Sequence, residues 1–511
     1  MTPEEARRRI SEQLSRREET FLAVVERAIY ANRENPYRVL LEAAGAEFGD
    51  VVELVGEHGL EGALGRLYDA GVHVTLDEFK GRVPIERRGL TVPTNSTSFD
   101  NPLLTRHFEA ATGGTRGVRR RVSIDLDLLE HETADQLVLR EAFECRGRPF
   151  AVWRPIPPSS SGINNCLRQA KLGEPVAEWF TSYRSPRTLD ALGFGLVTWY
   201  TVGASRLFGP TIARPKLCLA EDAERVARWL AECVRAGTPG VLDTQTSLAV
   251  RVCLAARDAG LDIAGSVLGF GGEPYTKEKA AVIAGAGCRA YCTYSMTETG
   301  RIALSCGDSS AFDDMHVLSE KLAVLQRDHA VDASGTTVGA LHYTALLLSA
   351  PKLMLNVESD DYAVLTERTC GCPFGELGLT THIREVRSYE KLTAEGNHFL
   401  GSDLVELVDR VLPSRFGGGP TDYQLVEEEI GGLPKVSVVA RPSLGRIDEQ
   451  EVVAAVIAHL RATPRNRLMA DVWRDSGTVR LVRRDPYTSV SGKILPLHLV
   501  KPTAGQSSPS Q

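Results

Sequence analysis

No apolar run in this 511-residue chain reaches the ~20 residues that a membrane-spanning helix needs. The opening Met1-Thr-Pro-Glu-Glu-Ala-Arg-Arg-Arg9 also lacks the apolar core of a signal peptide. Basic excess is missing: 59 Lys and Arg against 66 Asp and Glu leave a net charge of -7, which offers no electrostatic footprint for nucleic acid or anionic lipid. The ten cysteines lack the dense, regular spacing of a disulfide framework and fit reduced thiols or a metal site. A cytosolic chain is the expectation, and in that setting the acceptor triplet Asn95-Ser-Thr97 carries no glycan. The Walker lysine is absent, and Gly269-Phe-Gly-Gly-Glu-Pro274 does not supply a dinucleotide fingerprint. What is present is ordinary globular composition, 43% hydrophobic and 24% charged, with length for two or more domains.

Apolar positions at helical spacing (Ile10, Leu14, Phe21, Val24, Val25, Ala28, Ile29) predict amphipathic helices over 3–33, and the pattern continues through 37–70. From Ile124 to Ala290 strand-like and helical segments alternate. Gly240-Val-Leu-Asp243 and Ser266-Val-Leu-Gly-Phe270 read as strands, as does Leu196 to Val202. Ala220 to Ala236 and Thr246 to Ala259 read as helices, and Pro155 to Gly162 as a loop. The alternation predicts an α/β fold with mostly parallel sheets in a large, layered N-terminal domain. Such sheets bind ligands at the carboxyl ends of their strands.

Two stretches carry chemistry. Tyr291-Cys-Thr-Tyr-Ser-Met-Thr-Glu-Thr-Gly300 reads as a strand end breaking into a loop, where Thr297 offers a hydroxyl to phosphate and Glu298 a carboxylate to magnesium. A polar turn capping a buried strand would read the same way. Thr112-Gly-Gly-Thr-Arg-Gly117, followed by Arg119, Arg120 and Arg121, permits close approach of backbone N–H groups to phosphate. A plain Gly-rich turn is the alternative.

Gly271-Gly-Glu-Pro274, a helix, a strand and then Tyr294-Ser-Met-Thr-Glu298 resemble the core of the adenylate-forming superfamily, in particular its phenylacetate-CoA ligase branch. The resemblance implies an adenine wall at Gly271, Gly272 and Glu273, nucleotide contacts at Tyr294 and Ser295, phosphate contact by Thr297 and magnesium ligation by Glu298. Thr112, Gly113, Gly114, Thr115 and Gly117 match the phosphate loop, but Val118 stands where a lysine is usual, leaving Arg116 or Arg119 to supply charge. Met354-Leu-Asn-Val-Glu-Ser-Asp-Asp361 resembles the segment ending in the ribose-binding aspartate, here Asp361, although Glu358-Ser-Asp360 replaces the usual Arg-Thr-Gly. Val386-Arg-Ser-Tyr-Glu-Lys-Leu-Thr-Ala-Glu-Gly396 resembles the interdomain hinge, with Arg387 as the nucleotide-contacting arginine and Tyr389 where Asp or Lys is usual. Pro486-Tyr-Thr-Ser-Val-Ser-Gly-Lys493 resembles the C-terminal loop whose lysine enters the active site. A large domain over 1–386, a smaller mobile α+β domain over 387–501 and a disordered tail over 502–511 follow.

Cys306, His316, Cys370 and Cys372 make a tetrahedral zinc set on spacing that buried thiols could also show; some members of the resembled branch carry a metal here. The other cysteines read as core, with Cys292 near enough to the central loop to touch substrate. The implied activity is ATP- and Mg2+-dependent conversion of a carboxylic acid, aryl or small acyl, to an acyl-adenylate. Transfer to an acceptor follows, with the thiol of coenzyme A foremost and an amine, a carrier protein or an inorganic nucleophile as alternatives. A homologue that binds nucleotide without ligase activity is the remaining reading. The partners are the acid and ATP, with no nucleic acid or membrane, and a homodimer is compatible with the sequence.

Overall fold

The computed structural model describes residues 1–87, 89–104, 107–111, 121–156, 159, 161–182, 203, 212–309, 311–331, 337–389, 391–392, 398–399, 401–430, 433–463, 466–475, 479–489 and 492–500. The proposed phosphate loop (Thr112 to Gly117, with Val118 and Arg119), the stretch Leu196 to Val202, Gly396 and the tail lie outside the described residues.

A 12-stranded sheet organises the large body. Its strands are β1 (Phe150–Trp153), β2 (Glu178–Thr181), β3 (Pro215–Leu217), β4 (Val241–Gln245), β5 (Val267–Gly271), β6 (Arg289–Met296), β7 (Gly300–Ser305), β8 (Met315–Val317), β9 (Leu322–Ala330), β10 (Thr337–Ala345), β11 (Val357–Glu367) and β12 (Thr381–Ser388). They lie in the order β9-β10-β11-β12-β8-β7-β6-β5-β4-β1-β2-β3. From β3 to β6 the neighbours are parallel; from β6 to β9 they are antiparallel. The parallel half is the alternating segment read from sequence, and its strands β1 and β4 are buried at every position, as a sheet covered on both faces requires.

Helices α1 (Leu126–Ala142), α2 (Ser161–Lys171), α3 (Ala223–Arg235), α4 (Thr246–Asp258) and α5 (Lys277–Gly285) accompany these strands. Helix α2 begins at Ser161, inside the segment expected to be loop. Helix α5 starts at Lys277, where Thr276 caps it by accepting from the Lys279 N–H, a hydroxyl cap being a strong start signal.

A second, four-stranded sheet is built from β13 (Tyr423–Ile430), β14 (Leu433–Ala440), β15 (Val479–Arg483) and β16 (Leu497–Val500) in the order β15-β14-β13-β16. It shares its own core of Leu425, Val438, Val456, Leu460 and Trp473 with the helices Glu449–Ala462 and Arg467–Asp475. This small lobe and the large body meet at a buried ion pair, Lys279 Nζ to Asp409 Oδ2 at 2.9 Å, to which Thr276 Oγ1 also donates at 3.2 Å. Among the described residues no helix is long and apolar enough to cross a membrane.

Candidate active site

The central stretch closes as a hairpin. Strand β6 runs to Met296, Thr297 to Thr299 turn, and β7 returns from Gly300. Gly300 is required twice over: its φ is +76°, and a Cβ there would stand 2.3 Å from Glu132 Oε1. Glu132, buried on α1, accepts the Arg301 N–H at 2.9 Å and the Arg168 guanidinium at 2.6 Å. Burial works to raise its pKa, but the charges of Arg168, Lys321 and Arg301 prevail and bring it to about 2. Because that value lies below the ordinary 4.5, the unfolded chain binds more protons between these limits; the stabilisation is full above about pH 5 and is lost as pH falls toward 2. Glu132→Gln is expected to cost about 3–5 kcal/mol, the penalty for removing one partner of a buried pair, and to flatten acid unfolding across that window, as denaturant titration at several pH values would measure. An unchanged midpoint would remove the anchor.

Strand β6 pairs in parallel with β5, Thr293 opposite Gly271, so the hairpin rises beside Gly271-Gly-Glu273. A Cβ at Gly271 would meet Thr293 O at 2.2 Å, which explains the glycine by backbone approach. Tyr294 Oη donates to Asp361 Oδ2 at 2.6 Å and accepts from Tyr343 Oη at 3.1 Å. This bond brings Asp361, on β11, to the central strand four positions before Glu298. Burial, then the Asp361 charge, holds the Tyr294 phenol well above its ordinary value, so it stays a donor. Ser295 is exposed and Thr297 and Glu298 are half-buried; Glu298 makes no hydrogen bond or ion pair among the described residues. Arg387 lies on β12 with Tyr362 opposite, and its charge reaches Asp313.

The small lobe reaches the same place. Lys493 Nζ lies 2.8 Å from where a Gly272 Cβ would be. Burial pulls its ammonium below the ordinary value while the Glu273 charge pushes back. The loop carrying it is self-braced, Lys493 N–H donating to Ser489 Oγ at 3.0 Å and Gly492 N–H to Ser489 O at 2.8 Å. The Glu273 carboxylate is held within the protein, accepting from the Ser247 N–H and hydroxyl and from the Ile494 N–H.

Sequence reasoning missed Arg154, whose Nε donates to Asp243 Oδ1 at 2.6 Å, with Asn165 donating to the same oxygen at 3.1 Å. Its charge is felt at Lys493. The detectable signal was a charged residue directly after an all-buried strand. Cys292 is buried with its thiol against Ser305 Oγ at 3.1 Å and pushed up to about 12 by burial. The other six non-cluster cysteines are buried as expected.

Cys306, His316, Cys370 and Cys372 converge at the opposite end of β7. Their sulfurs are 3.5 to 3.9 Å apart, and His316 Nε2 lies 3.1 Å from Cys372 Sγ and 3.5 Å from Cys370 Sγ. Four ligands around tetrahedral zinc at ~2.3 Å would have sulfurs about 3.8 Å apart, so the set fits that ion. His316 Nδ1 lies 2.8 Å from Leu379 O; a carbonyl only accepts, so Nδ1 carries the proton and Nε2 presents its lone pair to the cluster.

No protein-family model matches the sequence, and no curated protein does. Among solved structures, the chain is similar to 2-hydroxyisobutyryl-CoA ligase in the postadenylation state in complex with R3-HIB-AMP, at 15% identity over 96% of this chain and 89% of that one, with a TM-score of 0.52. The same enzyme in an open conformation with 2-HIB-AMP and CoA matches at 15% identity over 96% and 91%, TM-score 0.41. The amide bond synthetase McbA from Marinactinospora thermotolerans matches at 12% identity over 96% and 98%, TM-score 0.39. The first of these carries the fold: this chain shares the two-part architecture of that ligase structure.

Proposed function

We propose that the protein activates a carboxylic acid with ATP, forming an acyl-adenylate and pyrophosphate, and then passes the acyl group to an acceptor. One observation carries the reading: a lysine from the small lobe rests on Gly272, at the carboxyl edge where the Thr297-Glu298 turn rises and Tyr294 gathers Asp361. In the first step the acid's carboxylate oxygen attacks the α-phosphorus. A carbon–oxygen–phosphorus link forms, and the α–β phosphoanhydride bond breaks, its electron pair leaving on pyrophosphate. Lys493 sits where an ammonium would stabilise charge gathering between carboxylate and α-phosphate. Glu298, half-buried and unpaired among the described residues, fits a magnesium ion, which supplies neutralisation of the phosphates when bound. Asp361 is the acceptor for the ribose hydroxyls, a carboxylate having lone pairs beyond the one that Tyr294 fills. The phosphate loop at 112–117 and Arg387 complete the grip.

The acceptor nucleophile then attacks the acyl carbon, and the acyl carbon–oxygen bond breaks to release AMP. By resemblance the acceptor is the thiol of coenzyme A, reached after the small lobe turns about a hinge at Tyr389, as in the phenylacetate-CoA ligase branch. A second acceptor class, amines among them, is favoured by Tyr389 itself. The ring is buried, its hydroxyl bonds to Glu358 Oε1 and Ser359 O, and the tilted His329 ring packs against it with centroids 4.7 Å apart, a firmer seat than a freely turning hinge suggests. Pyrophosphate exchange into ATP across a panel of aryl and short acyl acids tests the first step, and absence of exchange with every acid would overturn it. Comparing coenzyme A with hydroxylamine as acceptor tests the second.

Asp361→Ala is expected to raise the KM for ATP roughly 10- to 100-fold, the worth of charge-assisted hydrogen bonds to two hydroxyls, with a smaller effect on kcat. An unaltered KM would remove Asp361 from the nucleotide.

A further inference from the structure

Helix α4 begins without a cap of its own. Gln245 precedes it and makes no side-chain capping bond, which leaves first-turn N–H groups to find partners elsewhere. Glu273, from the turn after β5, provides one: its Oε2 accepts the Ser247 N–H at 2.8 Å and its Oε1 accepts Ser247 Oγ–H at 2.9 Å. The carboxylate is thereby held in one orientation, with favourable charge for a helix N-terminus. That fixed Oε1 also accepts the N–H of Ile494, at 2.7 Å, from the small lobe. Ile494 N lies 3.3 Å from Ser247 Oγ as well. One residue earlier, Lys493 lies on Gly272; one before that, Gly492 adopts φ +87° with Leu248 Cδ1 2.9 Å from where its Cβ would be. Three consecutive residues of the lysine loop therefore seat on the start of α4 and the turn beside it.

We propose that Glu273, braced by Ser247, is a positioning residue: it latches the backbone at Ile494 so that Lys493 stays at the site of adenylation, and release of this latch frees the small lobe for the second half-reaction. The proposal rests on the reading of the site as an acyl-adenylate former, and it differs from a role for Glu273 in lining the adenine. A latch has two signatures. Its loss loosens the loop locally, and it slows only the half-reaction that needs the loop in place.

Two measurements on the full chain test it. In Glu273→Ala, amide hydrogen exchange at the segment carrying Ile494 is expected to accelerate roughly 10- to 100-fold, the equivalent of a lost charge-assisted hydrogen bond, while strand Tyr423–Ile430 keeps its protection. Pyrophosphate exchange is expected to fall by a similar factor through kcat, while transfer from a supplied acyl-adenylate to its acceptor keeps its rate. Unchanged protection at Ile494, or equal slowing of both half-reactions, would overturn the latch. Should Glu273→Ala fail to fold, Ser247→Ala carries the same readouts with a several-fold effect expected. If the unsubstituted protein exchanges pyrophosphate with no acid, the ligase reading has failed, and the protection at Ile494 still decides whether Glu273 holds the loop.

Discussion

Replacing Lys493 with alanine is expected to lower pyrophosphate exchange roughly 10²- to 10³-fold, the usual consequence of removing one group that stabilises transition-state charge. Binding of ATP, measured by calorimetry, is expected to change little, because the residues assigned to the nucleotide (Gly271, Thr297, Asp361, Arg387) all belong to the large sheet and the turns between its strands. The split between the two measurements is the informative part. A residue that merely glued the lobes together would alter folding or binding, whereas a charge delivered to the reacting atoms alters kcat. The electrostatics give an independent check. Burial lowers the Lys493 pKa, opposed by Glu273 and assisted by Arg154, so the rate of the first step is expected to fall on the alkaline side as the ammonium loses its proton, and to begin falling below the ordinary lysine value of 10.5. Lys493→Arg, whose guanidinium keeps its charge, is expected to lose that alkaline limb. Exchange that survives in Lys493→Ala at the unsubstituted rate would end the assignment.

Much of the parallel half of the sheet was legible because its signals are local. Buried strands of four or five residues alternate with helices of helical period, and the hydroxyl-rich turn at 297–299 interrupts an apolar strand. Legible too were the metal-ligand types in Cys306, His316, Cys370 and Cys372, although 64 residues separate Cys306 from Cys370 and only the antiparallel return of β7 and β8 puts Cys306 beside His316. Contacts made across the chain were not legible. Glu273 looked like part of a wall, since nothing in its neighbourhood says that Ile494, 221 positions on, would donate to it. Arg154, just past the end of β1, and Asp243, on the adjacent parallel strand β4, carry opposite charges, a pairing that becomes visible only when the strand order is known. Tyr389 and Glu358, read separately as two departures from the family pattern, turn out to be hydrogen-bonded to each other. A buried phenol needs an acceptor, and Glu358 Oε1 and Ser359 O both provide one.

The second large effect concerns the thiol cluster. Purified protein is expected to carry about one zinc per chain, and Cys372→Ser to carry none and to melt at a lower temperature, since metal binding energy in such a site is folding energy of several kcal/mol or more. The structural reason is where the four ligands come from. Cys306 follows β7, His316 lies on β8, and Cys370 and Cys372 sit on the turn after β11, so an ion held by all four ties three segments that are separated in sequence. Surrounding groups are arranged for the ligands: Leu379 O fixes the imidazole tautomer, Arg368 donates to Cys306 Sγ at 3.4 Å and to Asp314 Oδ2 at 2.5 Å, and Gly375 approaches so closely that a Cβ would fall 2.6 Å from Cys370 Sγ. Arg368→Ala is therefore expected to weaken zinc retention 10- to 100-fold or so while leaving the four ligands intact. With four protein ligands no coordination position is open for a substrate, and the six-residue strand β7 separates the cluster from the Thr297 turn by roughly 20 Å at strand rise. Chelation is thus expected to lower the melting temperature without changing the KM for ATP in protein that remains folded. Metal analysis finding no zinc in protein purified without chelator, or a Cys372→Ser variant that melts with the unsubstituted chain, would reduce the cluster to buried thiols.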